Sequence, residues 1–424
     1  MTAPYDLVGI GIGPSNLSLA ALLDPHRELR ARFFEQQPEF QWHPGLLFPG
    51  ATIQVSFVKD LVTLVDPTSR FSFLSFLKDR GRLYRFLNAD FERVDRREFN
   101  QYLRWVCDRL DGLQFGATVD SVELEGDLFV VHIGSERVQA RHLVLGVGTT
   151  PVVPSCAKRY LGPTVFPASE YLAREPELAG KRVVVVGGGQ TGAEVGEHVL
   201  EDAGRLPSDF WWVSRRSNFL PLDESPFVNE LFTPAYSRFF ADLPASVRER
   251  IVAQQKLASD GISPRTLARL IRRLYELEFL DSDRARAHLW PAHELRAIEP
   301  ADGGGWALEI ADLIADGSRS VEADVVILCT GSESSVPPIE PLLDRLADGS
   351  GRLSFNPDYS VVWDGAPRNR IYVQNHDRRI WGIADPNVSL MAWRSALIAN
   401  SLLGREAYDT TDAVPLVHWR DELD

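Results

Sequence analysis

The 424-residue chain is 44% apolar with a net charge of −14, enough for the cores of two or three domains and unsuited to nucleic acid as a partner. Its three cysteines, Cys107, Cys156 and Cys329, are odd in number and far apart, which excludes a disulfide framework or zinc-finger spacing and points to a reducing cytosol. The first strand starts at Tyr5, leaving no room for a secretion signal, and no apolar run reaches membrane-spanning length, so a soluble, cytoplasmic protein without a membrane partner is expected.

An apolar strand, Tyr5 to Ile10, enters the turn Gly11-Ile-Gly13-Pro14-Ser15-Asn16, and the next strand ends at Arg32-Phe-Phe-Glu35. In a βαβ unit such glycines let the backbone turn tightly against a pyrophosphate at a helix N-terminus, and the residue ending the second strand reads the ribose. Glu35 offers its carboxylate to free ribose hydroxyls, although Asn16 stands where a third glycine is usual. A helix follows over Arg97 to Leu110, its core stripe formed by Phe99, Tyr102, Leu103, Val106, Cys107 and Leu110. Strands Phe129 to Ile133 and His142 to Gly146 lead to a turn at Gly148-Thr-Thr-Pro151, where the chain leaves the first domain.

Beyond a linker, Arg182 to Val186 enters a second turn, Gly187-Gly-Gly189-Gln190-Thr191-Gly192, whose second strand, Phe210 to Val213, runs into Ser214-Arg215-Arg216. Arg215 and Arg216 suit a 2′-phosphate. Two such turns, followed by opposite charges, predict FAD at the first and NADPH at the second. The stretch 218–280 breaks the alternation of strand and helix and is the candidate substrate module. One of its helices has Ser263 as N-cap, Pro264 in the first turn and Leu267, Leu270, Ile271 and Leu274 on one face. The buried run Asp324 to Cys329 reads as a return strand to the first domain. The expected fold is therefore α/β with two Rossmann-like dinucleotide-binding domains, the second inserted in the first, plus a small, mostly helical module. The divisions are 1–165 for FAD, 166–217 and 281–324 for NADPH, 218–280 for substrate, and 325–424 for the FAD return.

Several signatures together resemble the flavin-dependent N-hydroxylating monooxygenases, which hydroxylate lysine, ornithine or diamines in siderophore assembly. They are Gly11 to Leu17, Trp42-His-Pro-Gly45, Gln54-Val-Ser-Phe-Val-Lys59-Asp-Leu61, Tyr84-Arg-Phe86, Arg97-Glu-Phe99, Ser225-Pro-Phe-Val-Asn229-Glu230 and Gly382-Ile-Ala-Asp-Pro386. The resemblance implies FAD, NADPH, O2 and a primary amine as ligands, and a homo-oligomer, often a tetramer among relatives. It implies that Gln54 lies by the flavin ring, that Lys59 and Asn229 touch the substrate, and that these three carry the catalysis. It further implies that Trp42 and His43 shape the flavin pocket, and that Asp385 and Ser389 belong to the part closing over flavin and substrate. In that family NADPH reduces the flavin, O2 adds at its C4a position, and the neutral amine takes the distal oxygen. Because an alkyl ammonium has a pKa of roughly 10.4, a cation such as Lys59 and desolvation would favour the neutral amine.

Two departures bear on the substrate. Ornithine enzymes carry an Asn-Tyr-Ser-like segment where this chain reads Leu257-Ala-Ser-Asp260-Gly-Ile262. Asp260 would repel a substrate carboxylate or attract a second ammonium, which disfavours ornithine and supports cadaverine, putrescine or lysine. Val165-Phe-Pro167-Ala-Ser lacks the histidine that relatives often place there. Among alternatives, a disulfide reductase needs a close cysteine pair that is absent, and the fingerprint of Baeyer-Villiger enzymes is missing around Phe166 to Tyr171. An L-ornithine N5-monooxygenase and a flavin-binding redox or scaffold protein without turnover remain as other readings.

Overall fold

Two apolar runs, each ending in a glycine turn, build two separate sheets. The computed structural model describes residues 3–281, 285–335, 353–364, 368–411 and 416–419, with 338, 339, 342, 345 and 346 between them. In the first sheet, β1 (Tyr5–Ile10) lies between β2 (Ala31–Phe34) and β6 (Glu136–Leu145); β3 (Leu113–Gln114) extends the β2 side and β17 (Ile371–Val373) pairs with β6, all parallel. Leu7 and Val8, neighbours on β1, are both fully buried, as a strand covered on both faces requires. The first half of β6 also pairs antiparallel with β5 (Leu128–Ile133), which carries β4 (Ser121–Glu125) at its edge. Helix α1 (Pro14–Leu23) packs with the helix Met391–Leu403 in the core of this unit, together with α2 (Phe73–Asp79), α3 (Leu83–Asn88) and α4 (Arg96–Cys107).

The second sheet is parallel in the order β11 (Arg286–Pro291), β10 (Asp209–Ser214), β9 (Arg182–Val186), β15 (Val325–Leu328), β8 (Val165–Pro167). The period of two along β9 divides its faces. Val183 and Val185 pack in one core with α5 (Tyr171–Arg174), α6 (Gln190–Glu201) and α11 (Pro264–Phe279). Val184 and Val186 pack against the antiparallel meander β12 (His293–Pro300), β13 (Trp306–Asp312) and β14 (Gly317–Ala323). Short helices α7 (Pro226–Asn229), α8 (Pro234–Ala241), α9 (Ala245–Gln254) and α10 (Lys256–Asp260) form a module whose core joins Leu231, Tyr236, Phe240 and Ala258 to Ile383. The chain crosses between the two units twice, and the crossings pair as β7 (Thr149–Pro151) with β16 (Ser332–Ser334).

The expected nesting of one Rossmann-like unit in another is present, but its seams move. The run ending at Leu328 is not the return strand of the first domain: β15 pairs with β8 and β9, and Asp324 anchors it by accepting from Arg182 Nη2 at 2.8 Å and from Arg182 N at 2.8 Å. The return is made by the three-residue β17. Helix α11 belongs to the second unit, because Leu270 and Leu277 are buried against Val199 and Leu200 of α6. Its apolar face is Leu267, Leu270, Leu274 and Leu277, whereas Ile271 is 61% exposed. Ser263 occupies the N-cap position without a side-chain cap. The helix expected over 97–110 spans Arg96–Cys107.

Candidate active site

At the end of β1 the backbone reverses at Gly11, with φ +85°; a Cβ there would stand 2.5 Å from the carbonyl oxygen of Gly146, so only glycine fits. Gly13 caps α1 without a side-chain bond, Pro14 takes the first turn, and the uncapped amides with the helix dipole favour an anion. Glu35 stands beside this turn: its Oε2 accepts from Ile12 N and its Oε1 from Gln37 N, both at 2.9 Å. Asn16 does not face the cradle. It is fully buried, donating to Gly11 O at 2.8 Å and Ile10 O at 3.2 Å while accepting from Gln374 Nε2 at 3.1 Å. Its side chain fastens the turn rather than reaching a cofactor. Ser15 contributes its carbonyl, which accepts from Gln374 Nε2 at 3.2 Å and Ser395 Oγ at 3.4 Å.

The second turn repeats this design with other residues. Gly187 has φ +133° and a Cβ would lie 2.0 Å from Cys329 O; a Cβ on Gly192 would lie 2.0 Å from Gly187 O. Trp212 Nε1 donates to Gly187 O at 2.8 Å, the counterpart of the bond from Asn16 to Gly11. Around Gly189 there is room, with Arg216 Nη2 4.0 Å from a Cβ placed there. Arg216 is held by Asp260 O at 2.7 Å from its Nη1. Arg215, 72% exposed, leans toward Glu294 at 3.5 Å. Gln190 turns away: its Oε1 accepts from Ser263 N at 2.7 Å and its Nε2 donates to Glu194 at 2.8 Å, so its side chain ties α6 to α11. Thr191 lies half-buried in the first turn of α6. With turns in which a Cβ on Gly11, Gly187 or Gly192 would clash, an acid at the first and Arg216 at the second, the residues fit FAD at the first turn and NADPH at the second.

The stretch Gln54 to Leu61 is a loop held from below. Asp60, 2% exposed, accepts from Val62 N, Thr63 N, Thr63 Oγ1 and Phe73 N at 2.6–2.9 Å. Ser18 Oγ donates to Leu61 O at 2.6 Å, and Tyr102, fully buried on α4, bridges Leu61 N and Phe71 O. Lys59 is thereby aimed at Ser389, Nζ to Oγ 3.2 Å, across 330 residues of chain. Burial pushes the Lys59 ammonium below its ordinary pKa. Gln54 is half-buried on the same loop.

Trp42 is tilted against Phe99 and His43, ring centroids 5.5 and 5.1 Å away. His43 is exposed, and desolvation by the atoms near its ring with the Arg96 charge lowers its pKa to about 4. Asp385 lies in the same segment as Ser389, below its surface. It is fully enclosed, pairing with buried Arg394 at 3.0 Å and accepting from His376 N at 2.9 Å, which makes it a brace under the loop before Ser389. Asn387 Oδ1 then accepts from Ser389 N at 2.8 Å and sets that serine. Asn229 is exposed at the end of α7, and no described bond brings it to Lys59. The Asp260 carboxylate is not free for an amine: Arg378 Nη1 donates to it at 2.8 Å.

The sequence reading gave no role to Asp60, Gln374 or Arg378. The pattern Asp60-x-Val62-Thr63 signals a side-chain turn that pins the loop. Nothing local marks Gln374 or Arg378, whose partners lie over a hundred positions away.

Two dinucleotide cradles and a half-buried lysine between chain segments define an oxidoreductase that uses both a flavin and a nicotinamide nucleotide. The family model described as L-lysine 6-monooxygenase/L-ornithine 5-monooxygenase matches residues 3–334, and the chain belongs to that family. It is 39% identical to the L-lysine N6-monooxygenase of Escherichia coli, over 99% of each chain. It is 31% identical to the putrescine N-hydroxylase of Acinetobacter baumannii, over 95% of this chain and 91% of that one. Among solved structures, the FAD-bound cadaverine monooxygenase of the desferrioxamine pathway of Erwinia amylovora superposes with a TM-score of 0.92 at 30% identity, covering 100% of both chains.

Proposed function

We propose that this flavin-dependent N-hydroxylating monooxygenase acts on the terminal primary amine of L-lysine, or of the diamine cadaverine, which is lysine without its carboxylate. Putrescine is the shorter variant of the same reading. FAD and NADPH bring the reducing power and the activation of O2. The Asp260 carboxylate is paired with Arg378, so its charge no longer argues against an α-carboxylate, and the choice among lysine, ornithine and the diamines falls to the substrate panel.

The single observation carrying the amine reading is Lys59, half-buried and bonded to Ser389. Two ammonium groups brought together at a partly desolvated place repel, so the pair holds one proton more readily than two. An incoming amine beside Lys59 is therefore biased to its free base, the form with a lone pair to offer. The braces on this loop, from Asp60 and Tyr102, fix where that charge stands. Asp385 and Asn387 fix the serine opposite.

The test is a panel of lysine, cadaverine, putrescine and ornithine with FAD and NADPH, measuring hydroxylamine and hydrogen peroxide separately. Hydroxylamine from lysine or a diamine is expected; peroxide alone with every amine overturns the reading. Lys59→Met should cut hydroxylamine formed per NADPH by about tenfold, with flavin reduction within about twofold of the parent. Loss of reduction instead would remove Lys59 from the amine pocket.

A further inference from the structure

One residue touches three parts of the molecule. Asp260 ends α10 in the helical module; its carbonyl oxygen accepts from Arg216 Nη1 at 2.7 Å, and its Oδ1 accepts from Arg378 Nη1 at 2.8 Å. Ser259 Oγ joins the cluster, 3.1 Å from Asp260 Oδ1 and 3.3 Å from Arg378 Nη1. The backbone here is fixed: Ile262 N donates to Leu220 O at 3.0 Å, Leu222 N to Ile262 O at 2.8 Å, and a Cβ on Gly261 would stand 2.3 Å from Leu222 Cα. The backbone just after Asp260 is thereby held, and this one residue carries both contacts, its carbonyl to Arg216 and its carboxylate to Arg378.

The two arginines report to different ends of the site. Arg216 lies beside the second glycine turn. Arg378 opens the short helix Arg378–Trp381, on the segment that Asp385 braces through His376 N and that ends at Ser389 with its bond to Lys59.

We propose that Asp260 is a positioning residue that couples the seat of the NADPH phosphate to the loop 376–389, holding Arg216 with its carbonyl and Arg378 with its carboxylate. A nucleotide that fixes Arg216 then also steadies the loop across from Lys59, and a loosened loop weakens the nucleotide's hold. The idea rests on the reading that Arg216 meets the 2′-phosphate. It replaces the expectation that Asp260 meets the substrate amine.

The discriminating measurement is cosubstrate preference, kcat/KM for NADPH over NADH, in the flavin-loaded full chain. Arg378→Gln alters a side chain whose described bonds run to Ser259 and Asp260 and not to the glycine turn itself, and Asp260→Asn removes the charge at the other end of the pair. Each should lower the NADPH preference by roughly two- to fivefold, the size expected of a partly exposed ion pair. Neither should lower it further once Arg216→Ala is present. A fall in preference absent from both variants, or undiminished in the Arg216→Ala background, overturns the coupling. Because the ratio is read from nucleotide oxidation, it stands even if no amine in the panel is hydroxylated, which would instead defeat the proposed function.

Discussion

Arg215 and Arg216 follow each other in sequence and part company in space, since successive residues leaving a strand point to opposite sides. Arg216 hangs beside Gly189 and Arg215 leans on Glu294. Arg216→Ala should therefore raise the KM for NADPH by about tenfold, the loss of a charge-assisted bond, with little change for NADH. Arg215→Ala should move either by less than about threefold; steady-state kinetics with both nucleotides checks the contrast. Residue types were legible in the chain where backbone geometry demanded them: Gly11 and Gly187 stand at the turns where local pattern put them, and Glu35 stands beside the first. Side-chain direction was not legible for Asn16, Gln190 or Asp385, because Gln374, Ser263 and Arg394 decide it. A motif names a position, while a buried partner chooses which way it faces.

At the scale of elements, α4 and α6 come from different units and meet through Arg96 and Glu194, bonded twice at 2.8 and 2.7 Å, with side chains 16% and 5% exposed. Removing one member of such a pair strands a charge in a dry place. Arg96→Ala should cost about 3 kcal/mol in denaturant unfolding, and Glu194→Gln less, because Arg96 is the more exposed partner and Gln can still hydrogen-bond. Equal losses would mean the pair is not what joins the units there. Glu194 lines a cavity of about 280 Å³ between Phe48 to Thr52 on one side and α6 with the start of α11 on the other. The valine-rich strand β9 was legible from its glycine turn, and α11 from its leucines. The place of β15 was not: four apolar residues pair equally well in either sheet, and the ion pair of Asp324 with Arg182 makes the choice. The three-residue β17 carries too little pattern to be seen at all.

For the molecule as a whole, the family match stops at residue 334, yet the first sheet is incomplete there. It gains β17 and the helix Met391–Leu403, with Gln374 and Ser395 bonded to the first turn of α1, only from the last ninety or so residues. A chain ended after Ser334 should be colourless after purification, whereas the full chain should be yellow; absorbance near 450 nm checks it. Retained flavin in the short form would show that Gln374 and Ser395 do not support that cradle. Nesting also sets an order of birth. On the ribosome every described strand of the inner sheet has been synthesised once Leu328 is added, while the outer sheet still waits for Ile371. Lys59 cannot meet Ser389 until almost the whole chain is out. A half-made polypeptide thus lacks both the finished first sheet and the contact that sets Lys59, and the two are completed together near the end of synthesis.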